Sequence, residues 1–129
     1  MARRLLIGAG MDSGKGLKFL SCSIDMRFAP EDVERAIQLL RSVTGPTRVK
    51  RGCRTCSVEE GTAEAGLVHY REEWDEEAFP RHVRSEEFRR VLIAMELCCE
   101  EPQVVIGNLI GQRGLAYLCT LREGVGPPA

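Results

Sequence analysis

This chain of 129 residues has almost no net charge, no long apolar run and few histidines, and each of these features excludes a class of function. Lys and Arg total 18 against 19 Asp and Glu, so the formal net charge of -1 provides no basic field to attract nucleic acid or an anionic membrane. No apolar run approaches the ~20 residues that span a bilayer. With 2 histidines and a single Cys-x-x-Cys, the ligand spacing of a zinc site does not occur. We therefore expect no nucleic acid, membrane or metal partner.

Export and disulfide bonds are not predicted either. The apolar run behind Arg3 and Arg4, residues 5–10, is too short for the core of a signal peptide, so we expect a cytoplasmic protein. The 6 cysteines would suit a disulfide framework in a small secreted domain, but reduced thiols are the expectation for the cytoplasm. Cys53 and Cys56 lie three positions apart in a predicted strand. That spacing points their side chains to opposite faces and argues against a redox pair.

Periodicity divides the chain into three parts. Residues 1–16 contain four glycines and no sustained period, which is typical of a flexible N-terminal arm. Residues 17–123 form a single domain, and residues 124–129 form a tail. Segment 8–15 of the arm (GAGMDSGK) lacks the spacer of a phosphate-binding loop and follows no strand, so phosphate binding is not expected.

Within the domain, alternating and helical spacings of apolar residues predict the secondary structure. Strands are expected at residues 17–28, 52–59, 67–74 and 103–109, and helices at residues 30–43, 75–83, 85–98 and 112–123. This order is that of an α+β, ferredoxin-like split βαβ fold, in which a four-stranded antiparallel sheet carries its helices on one face. The second face of the sheet is predicted to be partly apolar, and a homodimer that stacks two sheets would cover it.

Two prolines and one ambiguous segment add detail to this outline. Thr44, Gly45 and Pro46 are expected to end the first helix at residue 43. Pro80 removes a backbone donor inside segment 75–83, so that segment is expected to kink or to break in two. Residues 112–123 fit the spacing of a helix and also that of a strand, and we interpret them as a helix.

The third predicted strand and the helical segment after it carry the candidate site. Alternation places Tyr70, Glu72 and Trp74 on one strand face and His69 on the other. His82 follows in the helical segment and is the leading candidate for a general base, since histidine titrates near neutral pH. Tyr70 and Trp74 would form an aromatic wall for a flat substrate, with the Tyr hydroxyl or the Trp N–H orienting a substrate oxygen.

Each of these residues also has an ordinary structural interpretation. His82 could pack or face solvent without any chemical role, and Tyr70 and Trp74 could be core residues. Glu72 on an inward face needs a partner, and a salt bridge to a loop arginine would supply one. His69 is expected to meet solvent or a dimer partner rather than the same pocket.

A set of short motifs runs from the second strand to the helix at 85–98: Gly52-Cys53, Glu72, Trp74, Asp75, Ala78-Phe79, His82, Ser85 and Phe88. These motifs resemble the antibiotic biosynthesis monooxygenase family, small dimeric α+β-barrel proteins related to quinol monooxygenases. The resemblance covers roughly residues 17–110. It implies a dimeric α+β barrel built on the split βαβ order.

The same resemblance implies an activity and a set of site residues. The implied activity is that of a monooxygenase that oxidises a small aromatic phenol or quinol with O2 and uses no cofactor. The implied site residues are His82 and Trp74 as catalytic groups, with the substrate held by Tyr70, Glu72, Phe88 and Met95. The alternatives are a non-catalytic small-molecule-binding dimer of the same fold and a haem-degrading oxygenase. Haem would need an axial ligand, for which His69 and His82 are the available histidines.

Overall fold

A computed structural model describes residues 18–108 and 112–124, so the predicted arm and all but the first residue of the predicted tail lie outside the described residues. The strands are β1 (Phe19–Arg27), β2 (Cys53–Glu60), β3 (Leu67–Asp75), β4 (Gln103–Gly107) and β5 (Gln112–Arg113). The helices are α1 (Pro30–Arg48), α2 (Phe79–Val83), α3 (Glu86–Glu96) and α4 (Leu115–Arg122), and a 3₁₀ turn at Glu76–Ala78 precedes α2.

The strands form one antiparallel sheet in the order β2-β3-β1-β4-β5. Ile24 at the centre of β1 lies opposite Tyr70 of β3 on one side and Val104 of β4 on the other. The first four strands therefore have the order of the split βαβ unit, which confirms the predicted fold class. The fifth strand was not predicted, because two residues are too few to show an alternating pattern.

The hydrophobic core lies between the sheet and the helices. Strands β1 and β3 bury every second residue, as their alternation predicts. The core combines these side chains with the inward stripes of α1 and α3: Leu20, Cys22, Ile24, Met26, Val68, Tyr70, Trp74, Ala36, Leu40, Val43, Phe88, Val91 and Met95. The inward side chains of β3 thus belong to this core, which fixes those that form the site described below.

The outer face of the sheet, opposite the helices, is mainly polar and carries two large exposed apolar side chains, so it is partly apolar, as expected. Its outward residues pair across neighbouring strands, as Arg71–Ser23 at 3.0 Å, Thr55–Glu73 at 3.1 Å and His69–Asp25 at 2.6 Å. The large apolar side chains exposed there are Phe19 and Val105. The pattern arises because the outward positions of β1 and β3 are occupied chiefly by Ser, Asp, Arg, Glu and His.

Helix α1 continues to Arg48, so the prediction that Gly45 and Pro46 end it at residue 43 was wrong. The helix packs against β2, and three residues of its last turns are buried: Val43, Thr44 and Thr47. Arg48 closes the helix against the sheet by donating its Nε–H to the carbonyl oxygen of Cys56 at 2.9 Å. This burial outweighs the missing N–H of Pro46, because tertiary packing dominates local helix propensity.

The segment around Pro80 breaks in two, as predicted. A 3₁₀ turn ends at Ala78, and α2 begins at Phe79 with Pro80 in its first turn. A proline there loses no intrahelical hydrogen bond, so it starts the helix instead of distorting it. At the other end of α2, Arg122 of α4 donates to the carbonyl of Val83 at 2.8 Å and satisfies an acceptor that the short helix leaves free.

The C-terminal segment is a helix, α4, as predicted, and β5 directly precedes it. None of the helices described is both long and apolar enough to cross a lipid bilayer.

Candidate functional site

Glu72 is a fully buried carboxylate at the centre of the inward face of β3. Its Oε1 accepts the indole N–H of Trp74 at 2.8 Å. Its Oε2 accepts the hydroxyl of Tyr70 and lies 3.0 Å from Nε2 of His82. Three donors therefore replace the water that a carboxylate loses on burial, which is the condition for keeping the charge inside the protein. The partner of Glu72 is a histidine and two aromatic donors, and not the loop arginine of the ordinary interpretation.

His82 reaches Glu72 because α2 is short and docked along one face. Phe79, His82 and Val83 are the buried residues of this helix and lie at the i, i+3 and i+4 positions that share a face. The imidazole of His82 stacks on the indole of Trp74, with ring centroids 4.4 Å apart and an interplanar angle of 29°. Phe88 of α3 packs edge-on against its other side, at 5.4 Å between centroids. The ring is thus clamped between two aromatic side chains.

The hydrogen bonds of His82 assign its tautomer. A carboxylate only accepts, so Nε2 of His82 carries the proton that it donates to Glu72. On the opposite side of the ring, Nδ1 lies 3.1 Å from Nζ of Lys50, and a lysine ammonium only donates. Nδ1 is therefore unprotonated and directs its lone pair towards Lys50. The imidazole is neutral, and Glu72 holds it in this orientation.

The turn between α1 and β2 places Lys50 at the site. Gly52 in this turn has φ +92°, and a Cβ at its position would collide with the side chain of Ala78 in the 3₁₀ turn. Glycine therefore allows the two turns to approach closely, and their contact is sealed by a bond from the Asp75 N–H to the Gly52 carbonyl at 2.7 Å. Lys50 also forms a salt bridge of 2.7 Å with Glu87 in the first turn of α3.

An open cleft of about 660 Å³ lies over this cluster. Trp74 and His82 form part of its wall, together with Lys50, Arg51, Gly52, Asp75, Glu77, Ala78, Arg81 and Ser85. The volume suits a small aromatic molecule, since ligand pockets commonly measure ~300–1,000 Å³. Lys50 and His82 both belong to the wall of this cleft, and Lys50 lies on the Nδ1 side of the imidazole, opposite Glu72.

Tyr70 is buried behind the cleft and stays protonated. Burial, reinforced by the charge of Glu72, raises the pKa of the Tyr70 phenol well above its ordinary value. The sulfur of Cys56 lies 3.3 Å from the Tyr70 hydroxyl oxygen, and burial raises the pKa of this thiol to about 12. These two groups support Glu72 as neutral neighbours.

Cys53 and Cys56 share one sheet face, which corrects the prediction that their sulfurs are separated. A bulge between Cys53 and Thr55 shifts the register, so that Cys53 lies opposite Trp74 and Cys56 lies opposite Glu72. The inserted residue reverses the alternation that a regular strand would show. Both are free thiols, and burial raises the pKa of Cys53 to about 11. Within residues 18–108 and 112–124, no three acidic, His or Cys side chains come together as a candidate metal site.

The remaining predicted site residues divide between the cleft and the core. Trp74 lines the cleft, but its N–H is engaged by Glu72, as is the hydroxyl of Tyr70, so neither donor is free to orient a substrate oxygen. Phe88 touches the His82 ring edge-on from within the core, and Met95 is a core residue further along α3. The cleft wall includes neither of them.

Sequence reasoning missed Lys50 and Glu87 as parts of the site. Lys50 stands in a basic loop 32 residues from His82, and no spacing rule connects the two. Glu87 fitted the acidic first turn of a helix and was interpreted only in that way. His69, by contrast, lies on the outer face with Asp25, as the strand parity predicts.

No family model and no curated protein sequence matches the chain. Solved structures do match it in three dimensions. One is an antibiotic biosynthesis monooxygenase with TM-score 0.61 and 23% identity, over 68% of this chain and 95% of that protein. The chain shares the fold of this monooxygenase. The resemblance that the sequence motifs show is thereby confirmed at the level of the fold.

Two further solved structures match the fold of this chain. A conserved protein from Methanosarcina mazei Go1 has TM-score 0.64 and 22% identity, over 70% of this chain and 92% of that protein. A conserved protein of unknown function from Bacteroides thetaiotaomicron, described as a possible oxidoreductase, has TM-score 0.65 and 19% identity, over 72% of this chain and 99% of that protein. The resemblance at these identities concerns the fold, and the chemistry has to be argued from the site.

Proposed function

We propose that the chain is a monooxygenase that oxidises a small aromatic phenol or quinol with O2 and needs no bound cofactor. The observation that supports this most is the buried Glu72–His82 pair, whose imidazole lies in the wall of an aromatic-sized cleft at 3.0 Å from the carboxylate. A carboxylate that orients an imidazole and stabilises the imidazolium is the arrangement that general-base histidines use.

The proposed reaction begins with a proton transfer. His82 Nδ1 takes the proton of the substrate hydroxyl, and the imidazolium that forms lies against the Glu72 carboxylate. The anion that remains is electron-rich and can pass an electron to O2, which reacts slowly with neutral closed-shell molecules. Recombination of the two radicals forms a C–O bond, and loss of water from the resulting hydroperoxide leaves a carbonyl. One oxygen atom enters the product and one enters water, so a phenol plus O2 gives a quinone plus water and no external reductant is required.

Trp74 would serve as a wall for the substrate. Its indole is 1% exposed and stacks on His82, so it would back the wall of the cleft and hold the imidazole in place. Apolar contact with this wall would help to hold a flat aromatic ring, and the exclusion of water would protect the radical intermediates. Tyr70 and Glu72 would then act through His82 as positioning residues.

Oxygen uptake with a panel of quinols and hydroxyarenes tests the proposal, and the chain provides a matched control histidine. His82→Ala removes the base, and the loss of general-base catalysis is expected to lower kcat by about 100-fold or more. His69→Ala alters the other histidine, which lies on the outer sheet face beside Asp25, and should retain the wild-type rate. Equal rates for the two variants, or no uptake by the wild type with any compound, would contradict the proposal.

One contact favours a second candidate, a binding protein without turnover. Lys50 occupies the Nδ1 lone pair of His82, so the base is blocked in this conformation. A protein that raises its Tm with aromatic ligands, to the same extent in the wild type and in His82→Ala, and that consumes no O2 would be such a binder.

Haem degradation gains no support from the histidines. Both ring nitrogens of His82 have partners, and His69 lies on the other side of the sheet paired with Asp25. A shift of the Soret band on addition of haem, abolished by His82→Ala, would favour the haem reaction over the proposed one.

A further inference from the structure

Lys50 holds the one acceptor through which His82 could act as a base. Its Nζ lies 3.1 Å from His82 Nδ1 and 2.7 Å from Glu87 Oε1, and its side chain is 27% exposed along the cleft. A lone pair that accepts a hydrogen bond from an ammonium group cannot take a proton from a substrate at the same time. Proton abstraction by His82 therefore requires that Lys50 first turn away from Nδ1.

The geometry also indicates where the Lys50 ammonium would turn. It has three N–H donors, one of which is held by Glu87 through a charge-assisted bond. Glu87 is fixed in the first turn of α3, whose N-cap Ser85 accepts the Phe88 N–H at 3.2 Å. Lys50 can thus keep its bond to Glu87 while a second donor turns from His82 into the cleft, whose wall includes Lys50 and His82.

We propose that Lys50 is a substrate-binding residue, whose ammonium group moves from His82 Nδ1 to the substrate oxygen as that oxygen loses its proton. This role rests on the function proposed above. The proton passes from the hydroxyl to Nδ1, and the electron pair of the broken O–H bond stays on the oxygen beside Lys50. The site thereby selects aromatic molecules with an ionisable hydroxyl group over their ethers.

After the proton has moved, the charged groups that contact Lys50 and His82 lie next to groups of opposite sign. On the side of α2, Lys50 faces the His82 ring, which then becomes an imidazolium between the Glu72 carboxylate and the substrate anion. From α3 it faces Glu87. The other charged groups of the cleft wall are Arg51, Asp75, Glu77 and Arg81, of which Asp75 is paired with Arg54 at 2.9 Å. No two like charges are brought into direct contact by the transfer, which is the electrostatic reason for assigning the oxyanion to this position.

Binding of 4-nitrophenol tests this role without any turnover, because the ionised form of this phenol is coloured and its nitro group makes it a poor electron donor to O2. In the wild type the bound phenol should ionise at a pH about one unit or more below that of the free phenol, since a cation would lie within a few ångströms of its oxygen. Lys50→Met should abolish most of this shift, and Lys50→Gln should do the same with a polar side chain. Arg35→Met, which removes an exposed cation of α1, should keep the wild-type shift.

The outcomes separate this role from the oxygenase activity. Failure of the wild type to bind or ionise the phenol, or equal ionisation in the wild type and both Lys50 variants, would overturn the role of Lys50. Ionisation that depends on Lys50, in a protein that consumes no O2 with any quinol, would support the role of Lys50 and reject the oxygenase alone. Oxygen uptake with a quinol, in a protein whose ionisation of 4-nitrophenol does not depend on Lys50, would support the oxygenase and reject the role of Lys50.

Discussion

At the scale of single residues, Glu72 shows how a buried charge determines the state of its neighbours. Its two oxygens accept from three side chains, which fixes the Nε2–H tautomer of His82 and the protonated state of Tyr70. A polar group at this position without partners would cost several kcal/mol, so the aromatic donors are part of the site as much as the histidine is. This network could not be read from the sequence beyond the shared strand face of Tyr70, Glu72 and Trp74.

Glu72→Gln tests that network. The amide nitrogen must replace either Oε1, where it meets the indole donor of Trp74, or Oε2, where it meets His82. If His82 changed its tautomer so that Nε2 could accept from this amide, its Nδ1 would carry the proton and point it at the ammonium group of Lys50. Either arrangement opposes two donors, so urea unfolding should show a loss of about 1–3 kcal/mol.

Glu73→Gln is the matched control for this change, because Glu73 is the next residue of β3 and lies on the outer face with Arg71. Its loss should be below about 1 kcal/mol, as for exposed ion pairs. Equal losses for the two variants would show that burial and hydrogen bonding of Glu72 contribute nothing particular to stability.

Glu87 is a second single residue with a testable effect, because it makes the free energy of unfolding depend on pH. The hydrogen bond from Lys50 lowers the pKa of the Glu87 carboxyl below its ordinary value. The folded state therefore holds this proton less tightly than the unfolded chain, and the stabilisation is present above the unfolded pKa of about 4.3 and is lost as the pH falls through the folded pKa. Urea unfolding should show Glu87→Gln to be less stable than the wild type by up to about 1 kcal/mol at neutral pH, with the difference fading at acid pH.

Glu86→Gln provides the comparison for this pH dependence. Glu86 precedes Glu87 in the chain, is 76% exposed and lies 3.8 Å from Arg89. The difference between this variant and the wild type should stay small at all pH values. A difference for Glu87→Gln that persists unchanged at acid pH would contradict the assigned cause.

At the scale of elements, the sequence predicts periodic segments well and their ends poorly. The alternation of β1 and β3 places every inward residue correctly, because each of these strands lies between two neighbours and has one buried face. The end of α1 was misplaced, since burial of Thr47 against the sheet decides it and not the Gly45-Pro46 signal. The bulge in β2 has no sequence signal, so the faces of Cys53 and Cys56 could not be predicted.

Gly45 in α1 and Gly66 in the turn before β3 have different surroundings, which gives a prediction for each of them. Gly45 lies within the helix, and apart from its chain neighbours and the nearby helix backbone no atom lies within 4 Å of a Cβ at its position. Pro46 follows it, and a proline disfavours the helical conformation of a preceding residue that has a Cβ, which offsets the gain of a better helix former, so Gly45→Ala should change the free energy of unfolding by less than about 0.5 kcal/mol in urea unfolding. Gly66, in the turn before β3, has φ +84°, and a Cβ there would lie 2.6 Å from the carbonyl oxygen of Phe28. Gly66→Ala should therefore be destabilising. A loss of stability for Gly45→Ala as large as that for Gly66→Ala would contradict this difference between the two positions.

At the scale of the whole molecule, the site is assembled from three separate parts of the chain. β3 supplies Glu72 and Trp74, α2 supplies His82, and the turn after α1 supplies Lys50. The sequence could place the first two together, because they follow one another along the chain. It could not place Lys50, because only the return of α1 over the sheet brings that turn to the site.

Homodimerisation through the outer sheet face remains a prediction at this scale. Sedimentation of the purified protein should give the mass of a dimer. Arg71→Glu places a new negative charge beside Glu73 at the middle of that face, and repulsion across the interface should raise the dissociation constant about tenfold or more. Arg35→Glu, on the exposed side of α1, should leave it unchanged. A wild-type monomer would contradict the prediction.

The most direct test of the proposed chemistry is to follow the oxygen atoms. Under ¹⁸O2, with a chelator present and a quinol found active by oxygen uptake, mass spectrometry of the product should show one heavy oxygen atom per molecule of O2 consumed, and the label should disappear in His82→Ala. A product without heavy oxygen, or labelling that is the same in His82→Ala, would contradict the proposal that His82 initiates a monooxygenation at this cleft.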